Sequence, residues 1–275
     1  MGEFSTIRFV KWAGGKGQLI EQFIPLFPKK INRYIEPFVG GGAVLFYIIQ
    51  NYHPKEIIIS DVNKELITTY NVIKQDVEKL ISILREHKKH HSKDYYYKIR
   101  AILPSSLSDV DKAARFIYLN KTCFNGLYRV NSKGGFNVPM GQYKNPDIVQ
   151  ENKLREISKL LKNVTIKCES FENVLSYSKK GDFVYFDPPY YPLKNKNSFT
   201  TYHHDVFLDN EHKKLAEVFD ALSKKGCFVM ESNSDTGFVR KLYSKYAIKL
   251  VRATRMINCR SEDRGLINEI VIRNY

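Results

Sequence analysis

Short apolar runs alternate with longer amphipathic stretches along most of the chain. The clearest runs are Glu56–Ser60, Val164–Cys168, Asp182–Phe186 and Cys227–Met230. Nearly continuous apolar strands with helices between them are typical of an open, largely parallel sheet covered by helices on both faces. The pattern therefore predicts a doubly wound α/β fold with a mostly parallel sheet.

Both ends of the chain extend this predicted sheet. Near the N-terminus, Tyr34–Phe38 leads into three consecutive glycines, and a helix is expected from Ala43 onward. Towards the C-terminus, Ile248–Ala253 and Leu266–Ile272 predict an antiparallel pair of strands at the edge of the sheet.

The middle of the chain has a different pattern. Helical periodicity runs through Leu66–Leu84, Asp94–Leu103 and Asp109–Thr122. The next segment, Leu127–Pro139, places one Asn and two Gly residues between short β-prone pieces, which predicts a β-hairpin. We therefore predict a helical insert that carries a hairpin, residues 62–150, within a core domain made of residues 1–61 and 151–275.

Ligands of open α/β sheets bind beyond the carboxyl ends of the strands, and the first informative strand end here is the glycine turn Phe38–Gly42. Its glycines allow a tight turn and a close approach to a ligand. The turn is not a dinucleotide fingerprint, because Leu45 stands where the last glycine would be. Gly14–Gly17 is not a phosphate-binding loop either, because no Ser or Thr follows its lysine. A plain tight turn remains an alternative.

The second strand end is Asp61, about twenty residues after the glycine turn. Its carboxylate could accept hydrogen bonds from ribose hydroxyls. It could equally cap the helix that begins near Asn63. The sequence alone favours neither interpretation.

The third strand end, Asp187-Pro188-Pro189-Tyr190, is the strongest signal in the chain. Its prolines fix the backbone as it leaves an apolar strand, and their carbonyl oxygens remain free to accept hydrogen bonds. A carboxylate, a carbonyl and an aromatic ring this close together suit the recognition of a planar amine on a flat base. A rigid turn that happens to contain these residues is the alternative.

Charge and composition narrow the class of protein. Lys and Arg number 44 against 29 Asp and Glu, a formal charge of +15 that attracts polyanions. This favours a nucleic-acid partner over a merely solvated basic surface. No apolar run approaches the roughly 20 residues of a membrane span, so we expect a soluble, cytoplasmic protein. Association with the nucleoid would come from its positive charge. The four cysteines form no CxxC pair, so neither a zinc site nor a disulfide framework is expected.

Four motifs in one order suggest a family. They are Lys11–Lys16, Glu36–Gly42, Phe124–Pro139 and Asp187–Tyr190. They resemble, in turn, the N-terminal cofactor motif, the FxGxG motif, the DNA-recognition hairpin and the DPPY motif of the Dam-type (alpha-group) N6-adenine DNA methyltransferases. The chain looks most similar to the GATC modification methylases of restriction systems, and the resemblance runs from about Arg8 to Tyr275.

The resemblance implies a Rossmann-like methyltransferase sheet, with S-adenosyl-L-methionine as methyl donor, S-adenosyl-L-homocysteine as product and no metal. The residues expected to bind the cofactor are Trp12, Lys16, Phe38, Gly40, Gly42, Asp61 and Asp187. Asp61 would hold the ribose, and Asp187 would lie between the cofactor and the target base. Without the surrounding motif, Trp12 would be a core aromatic and Lys16 a surface charge.

The resemblance also assigns the catalytic residues Asp187, Pro188, Pro189 and Tyr190. The Asp187 carboxylate and the Pro188 carbonyl would accept the two hydrogens of an adenine N6 amine, and the Tyr190 ring would stack on the flipped base. Phe199 and Tyr202 would close the substrate pocket.

The implied DNA-binding residues are Lys11, Phe124, Asn125, Leu127, Arg129, Asn137, Pro139 and Tyr143. Arg129 would read a guanine edge, although a phosphate contact is the alternative. Leu127 and Pro139 would meet a thymine methyl, and Lys11 and Tyr143 the outer guanine. Phe124 would wedge into the base stack. Gln142 stands where the family often has an arginine, so the resemblance does not carry over the contact with the DNA backbone at this position.

Together these features predict an adenine N6-methyltransferase that acts on duplex DNA, at GATC, by base flipping. A restriction endonuclease acting on the same site would be its partner. Three alternatives remain: methylation of adenine in RNA, a non-catalytic DNA-binding protein, and a plain nucleotide-binding enzyme. The last is disfavoured by the failed phosphate-loop patterns.

Overall fold

The computed structural model describes residues 7–192, 207–254 and 266–275. Within these ranges the helices are α1 (Ile20–Phe23), α2 (Ala43–Tyr52), α3 (Lys64–Gln75), α4 (Val77–Lys89), α5 (Lys93–Ala101), α6 (Asp109–Thr122), α7 (Glu151–Leu161), α8 (Val174–Tyr177), α9 (Asp209–Lys224) and α10 (Gly237–Leu242). The strands are β1 (Arg33–Glu36), β2 (Glu56–Asp61), β3 (Val164–Cys168), β4 (Phe183–Phe186), β5 (Phe228–Ser234), β6 (Ala247–Thr254) and β7 (Leu266–Arg273).

The chain forms two compact units. Of the described residues, the first contains 7–15, 40–46 and 61–168, and the second contains 16–39, 47–60, 169–192, 207–254 and 266–275. The assignment of cofactor binding and DNA recognition to separate domains, with boundaries at residues 62 and 150, stays a prediction.

Six of the seven described strands belong to the second unit, where they form one mixed sheet in the order β2-β1-β4-β5-β7-β6. Pairing is parallel from β2 through β5, and β7 runs antiparallel to both β5 and β6. The predicted mostly parallel α/β sheet with an antiparallel pair at its edge is confirmed.

Strand β4 lies inside this sheet, between β1 and β5. All four of its residues are at most 1% exposed. A strand with neighbours on both sides and helices on both faces has no polar side, which explains its unbroken apolar sequence. Val184 and Phe186 pack with Val229 of β5 and with Leu215 and Phe219 of α9 in one core. This packing holds the end of β4 rigidly.

Strand β5 is longer than the apolar run Cys227–Met230 predicted. It continues through Glu231-Ser232-Asn233-Ser234, all of which are buried. Polar side chains can be buried when they are hydrogen-bonded, and Asn233 Nδ2 donates to Glu231 Oε1 at 3.0 Å. Because these four residues are polar, the pattern of apolar residues did not predict the second half of the strand.

The first unit is helical around α6. Nine of the fourteen residues of α6 are buried, and α3, α4 and α5 all pack against it. Its start is set by Ser108, whose hydroxyl accepts from the Asp111 N–H, and Lys121 lies in the last turn, where a cation is favourable. The predicted helix Asp109–Thr122 is confirmed residue for residue.

The single helix predicted over Leu66–Leu84 is wrong, because the chain breaks at Asp76 into α3 and α4. Asp76 has φ −133° and ψ 35°, outside the helical region. Its N–H donates to Val72 O, which ends α3, and its carbonyl accepts from the Leu80 N–H, which begins α4. Both helices are amphipathic, so the periodicity of apolar residues runs across the break.

The segment after α6 forms the predicted hairpin. Val130 and Phe136 make an antiparallel bridge, and the turn is closed by hydrogen bonds from the Asn131 N–H to Gly135 O and from the Gly134 N–H to Asn131 O. Gly134 has φ +76°, a conformation that favours glycine. We call residues 124–139 the 124–139 hairpin.

Across the described ranges, the structure contains no helix that is long and apolar enough to cross a membrane.

One buried charge ties three helices of the first unit together. The Arg115 side chain is 2% exposed, and its guanidinium donates to Glu65 and to the carbonyls of Ile99 and Arg100. Removing one partner of a buried ion pair leaves the other uncompensated, at a cost of about 3–5 kcal/mol. We predict that Arg115→Met lowers the free energy of unfolding of this unit by that amount, measured by urea denaturation.

Arg155→Met is the control, because Arg155 is also paired with a glutamate, Glu78, but on the surface and through two hydrogen bonds. Exposed pairs contribute little, so the control should unfold close to the wild type. If the two variants unfolded at the same urea concentration, the structural role of Arg115 would be contradicted.

Candidate active site

Asp187 directly follows β4, and its carboxylate is held by two donors. Lys16 Nζ lies 2.8 Å from Asp187 Oδ1, with the two side chains 4% and 19% exposed respectively. Ser232 Oγ of β5 donates to the same Oδ1 at 2.9 Å. A buried carboxylate needs such partners, since an unpaired charge in the interior is very costly. We call Lys16, Tyr185, Asp187, Tyr190, Ser232 and Glu269 the Asp187 site.

The charge state of Asp187 reflects competing effects. Burial raises the pKa of the Asp187 carboxyl above its ordinary value, while the Lys16 charge and the hydrogen bonds from Lys16 and Ser232 act to lower it. Lys16 itself is only 3% exposed, so the alternative that it is a surface charge is wrong. Of these effects, the ion pair with Lys16 favours the ionised carboxylate.

Tyr190 is fixed at both ends of its side chain. Its hydroxyl donates to Glu269 Oε2 of β7 at 2.7 Å, and Lys16 Nζ lies 4.4 Å from the centroid of its ring. Burial raises the pKa of Tyr190 well above its ordinary value, so the hydroxyl stays protonated. Of the two prolines before it, Pro188 is buried and Pro189 exposed.

The polar end of β5 supplies residues that the sequence analysis missed. Ser232 holds Asp187, while the Asn233 Oδ1 accepts from the Tyr191 N–H and Ser234 Oγ donates to Tyr191 O. These bonds fix the backbone just after the Asp-Pro-Pro-Tyr segment. The signal was present as a polar run that directly continues an apolar strand.

In the first unit, the glycine turn lies against Trp12. Gly40 has φ +47°, and a Cβ placed there would lie 2.7 Å from Trp12 Cδ1. Gly42 has φ +74°, and a Cβ there would lie 2.6 Å from the Tyr70 hydroxyl, which in turn donates to Gly40 O. Close approach of a ring and a positive φ both require glycine here.

Asp61 is bound to the same turn. Its Oδ2 accepts from the Gly40 N–H at 3.2 Å and its Oδ1 from the Asn63 N–H at 2.9 Å. The helix cap of α3 is Asn63, whose side chain accepts from the Leu66 N–H, so the alternative that Asp61 caps this helix is wrong. Burial raises the pKa of Asp61, and backbone hydrogen bonds partly offset this.

Trp12 is half-buried and stacks on Tyr128, with ring centroids 5.9 Å apart. The Tyr128 hydroxyl donates to Glu65 Oε1, so the stack is anchored to α3. Phe38 behaves differently: in the second unit its ring stacks on Phe171 at 5.4 Å and belongs to the apolar packing there. We call Trp12, Gly40, Gly42, Asp61, Tyr70 and Tyr128 the Trp12 site.

Lys11 and Tyr143 lie together in the first unit. Lys11 Nζ donates to the Tyr143 hydroxyl at 3.1 Å and lies 4.2 Å from its ring centroid. Asn120 fixes the Lys11 backbone: it accepts from the Lys11 N–H and donates to Lys11 O and to Gly126 O. Asn120 was not among the predicted site residues, and its signal was a polar residue that directly follows the apolar run Phe116–Leu119.

The 124–139 hairpin carries Arg129 on its exposed side. Arg129 Nε donates to Asn137 Oδ1 at 2.7 Å, and the Asn137 N–H donates to Arg129 O at 3.0 Å. Phe124 is 43% exposed, and its N–H donates to Pro139 O. Asn125 next to it has φ +55°. Leu127 is half-buried and Pro139 exposed.

Two predicted pocket residues, Phe199 and Tyr202, lie outside the described residues. Among the residues that the structure does describe, no group of three or more His, Cys, Asp or Glu side chains could hold a metal ion.

Comparison with known proteins identifies the family. The model of the D12 class N6 adenine-specific DNA methyltransferases matches residues 12–257. The type II methyltransferase M.MjaIII of Methanocaldococcus jannaschii is 49% identical over 97% of this chain and 98% of its own length. For M1.LlaDCHI of Lactococcus lactis subsp. cremoris, the identity is 43% over 97% of this chain and 95% of the relative's own length. The DNA adenine methylase of Escherichia coli K12 is 32% identical over 96% of this chain and 93% of its own length.

The predicted family and enzyme class are confirmed by these matches. The glycine turn and the Asp-Pro-Pro-Tyr segment both lie within the matched residues. This chain belongs to the D12 class of N6 adenine-specific DNA methyltransferases.

Proposed function

We propose that this protein transfers a methyl group from S-adenosyl-L-methionine to the N6 amine of adenine in duplex DNA. The observation that carries the proposal is the half-buried Asp187 carboxylate at the end of β4, with Oδ1 held by Lys16 and Ser232 and Pro188 next in the chain. Family membership supplies the reaction class, and the Asp187 site supplies acceptors for an amine.

The amine is the difficult reactant, because its lone pair is delocalised into the purine ring. The Asp187 carboxylate and the Pro188 carbonyl would each accept a hydrogen bond from one of the two amine hydrogens. Two such hydrogen bonds would favour a pyramidal nitrogen. The lone pair would then leave the plane of the base. This is catalysis by orientation and by preorganised dipoles, and it depends on acceptors that do not move. When bound, S-adenosyl-L-methionine supplies an electrophilic methyl group.

An amine that is paired inside a duplex cannot reach the half-buried Asp187 carboxylate, so the adenine would be flipped out. The Tyr190 ring, whose hydroxyl donates to Glu269, would stack on the extruded base. The exposed ring of Phe124 would wedge into the gap left in the base stack. Asn125, in its left-handed conformation, would present the tip of the hairpin to the DNA.

The Trp12 site fits the cofactor. Glycine at Gly40 and Gly42 keeps the turn free of side chains, and the flat Trp12 ring lies beside it. Each Asp61 oxygen already accepts one N–H, and a carboxylate oxygen has a second lone pair for a ribose hydroxyl. The cofactor roles proposed for Phe38 and Lys16, which belong to the second unit, rest on the family resemblance.

We further propose GATC as the recognition sequence. Asn137 orients the Arg129 guanidinium, and an oriented guanidinium suits bidentate contact with a guanine edge. Lys11 and Tyr143 form a fixed pair that would read the outer guanine, and Leu127 and Pro139 would contact a thymine methyl. Two relatives are named type II methyltransferases, which supports a restriction endonuclease of the same specificity as a partner.

The first prediction tests the reaction itself. The wild type should transfer labelled methyl groups to duplex DNA containing GATC, with N6-methyladenine as the product nucleoside by mass spectrometry. Asp187→Ala should lower the transfer rate roughly 100-fold or more, because the amine loses its charged acceptor. Asp220→Ala is the control, since Asp220 is also a partly buried aspartate paired with a lysine, Lys245, but lies on α9.

Three outcomes would contradict the proposal. Preferential labelling of RNA would favour the RNA methyltransferase alternative. Saturable cofactor and DNA binding without any labelled product would favour a non-catalytic DNA-binding protein. Wild-type turnover in Asp187→Ala would remove Asp187 from the mechanism.

The second prediction concerns cofactor binding. Gly40→Ala places a methyl group 2.7 Å from the Trp12 ring and should weaken binding of S-adenosyl-L-homocysteine at least tenfold by calorimetry, because the ring must shift. Gly181→Ala is the matched control: Gly181 also has a positive φ, +87°, but nothing lies within 4 Å of the added Cβ. Unchanged affinity in Gly40→Ala would argue against the Trp12 site.

The third prediction concerns sequence discrimination. Arg129→Ala should reduce the preference for GATC over a site altered at one guanine by about 5- to 150-fold, corresponding to about 1–3 kcal/mol for one bidentate contact. Lys133→Ala, an exposed cation in the same hairpin turn, should weaken all sequences alike. If Arg129→Ala also weakened all sequences equally, Arg129 would be a phosphate contact.

A further inference from the structure

We propose that Ser232 is a positioning residue. Together with Lys16 it binds one carboxylate oxygen of Asp187, Oδ1, and so leaves the other oxygen, Oδ2, for the substrate. This inference rests on the proposed function. Ser232 Oγ and Lys16 Nζ both reach Oδ1, at 2.9 and 2.8 Å. Within the described ranges, the hydrogen bond and the ion pair of the Asp187 carboxylate both end on Oδ1, so the structure assigns the second oxygen, Oδ2, to the substrate amine.

The direction of the Ser232 hydrogen bond follows from its neighbours. Ser232 Oγ lies 2.8 Å from the Tyr185 hydroxyl and 2.9 Å from Asp187 Oδ1. Ser232 has one hydroxyl proton, and the Asp187 carboxylate has none to give. Burial raises the pKa of Tyr185 well above its ordinary value, so its hydroxyl keeps its proton. Tyr185 therefore donates to Ser232, and Ser232 donates to Asp187.

The chain of donors is rigid, because every member lies on a strand of the core. Tyr185 is on β4 and Ser232 on β5, both residues are 0% exposed, and the two strands pair in parallel with Tyr185 opposite Met230. A serine hydroxyl left without Tyr185 could rotate towards other acceptors. Tyr185 thus keeps Ser232 directed at Oδ1, and the carboxylate cannot turn away from the substrate without breaking two bonds.

Several charged or titratable groups act on Asp187, and the experiment has to separate them. Among the described residues they are Lys16, Tyr34, Tyr185, Tyr190 and Glu231. Lys16 favours the ionised carboxylate, whereas burial favours the protonated form and raises the pKa of Asp187. Ser232 donates to the ionised form. Removing Ser232 therefore raises the pKa of Asp187 further.

The test measures Asp187 directly. In Ser232→Ala, the carboxyl-carbon NMR titration of Asp187, recorded on the protein without substrates, should move upward by about one to two pH units. The acid limb of the single-turnover methylation rate should move in the same direction. The rate at neutral pH should fall about tenfold or more, while KM for DNA and cofactor stays near the wild-type value.

Two further variants keep the test decisive. Tyr185→Phe retains the ring but not the hydroxyl, and should shift the titration in the same direction by a smaller amount. It decides the question if Ser232→Ala does not fold. Ser178→Ala is the control, because Ser178 is also buried, 3% exposed, and its hydroxyl contacts Lys225 rather than Asp187.

The two hypotheses fail in different ways. A wild-type Asp187 titration and acid limb in both Ser232→Ala and Tyr185→Phe would overturn the role of Ser232, even if the enzyme methylates DNA. A shifted titration in a protein that labels no DNA adenine would support the positioning role and overturn the proposed function.

Discussion

The arrangement of the site depends on one constraint, the placement of a carboxylate where water is largely excluded. Asp187 is tolerated at the end of a buried strand because Lys16 and Ser232 bind its Oδ1. The same Lys16 ammonium lies over the ring of Tyr190, and Glu269 binds the other end of that side chain. A charge that must be paired in the interior therefore also fixes the aromatic residue beside it. Rigid acceptors are what the methylation of a weakly nucleophilic amine requires.

In the first unit, the close contact between the glycine turn and two aromatic rings likewise fixes the residues of the Trp12 site. Gly40 and Gly42 leave no room for a Cβ beside Trp12 and Tyr70, and Asp61 binds the N–H of the same turn. The 124–139 hairpin follows a helix held by the buried Arg115, so its exposed side chains project from a stable base. Residues proposed to touch ligands are thus supported by residues that touch only the protein.

The pattern of apolar residues along the sequence predicted most of the fold, because buried parallel strands such as β4 have no polar face. It failed where burial and polarity coincide. The second half of β5 is polar and buried, since Glu231, Asn233 and their neighbours bond to one another or to the site. The break at Asp76 was concealed because both helices are amphipathic. The residues at the strand ends pointed to Asp187 and the glycine turn, whereas the pairing of Lys16 and Ser232 with Asp187 depends on tertiary contacts that no local pattern contains. The roles assigned to the DNA-contact residues stay predictions.

The central claim concerns the position of one amine. A crystal structure of the protein with sinefungin and a GATC duplex would test it most directly. The account predicts an extruded adenine whose N6 lies within hydrogen-bonding distance of Asp187 Oδ2 and Pro188 O, with Tyr190 stacked on the base. An adenine that remained stacked in the duplex, or an amine bound away from Asp187, would contradict it.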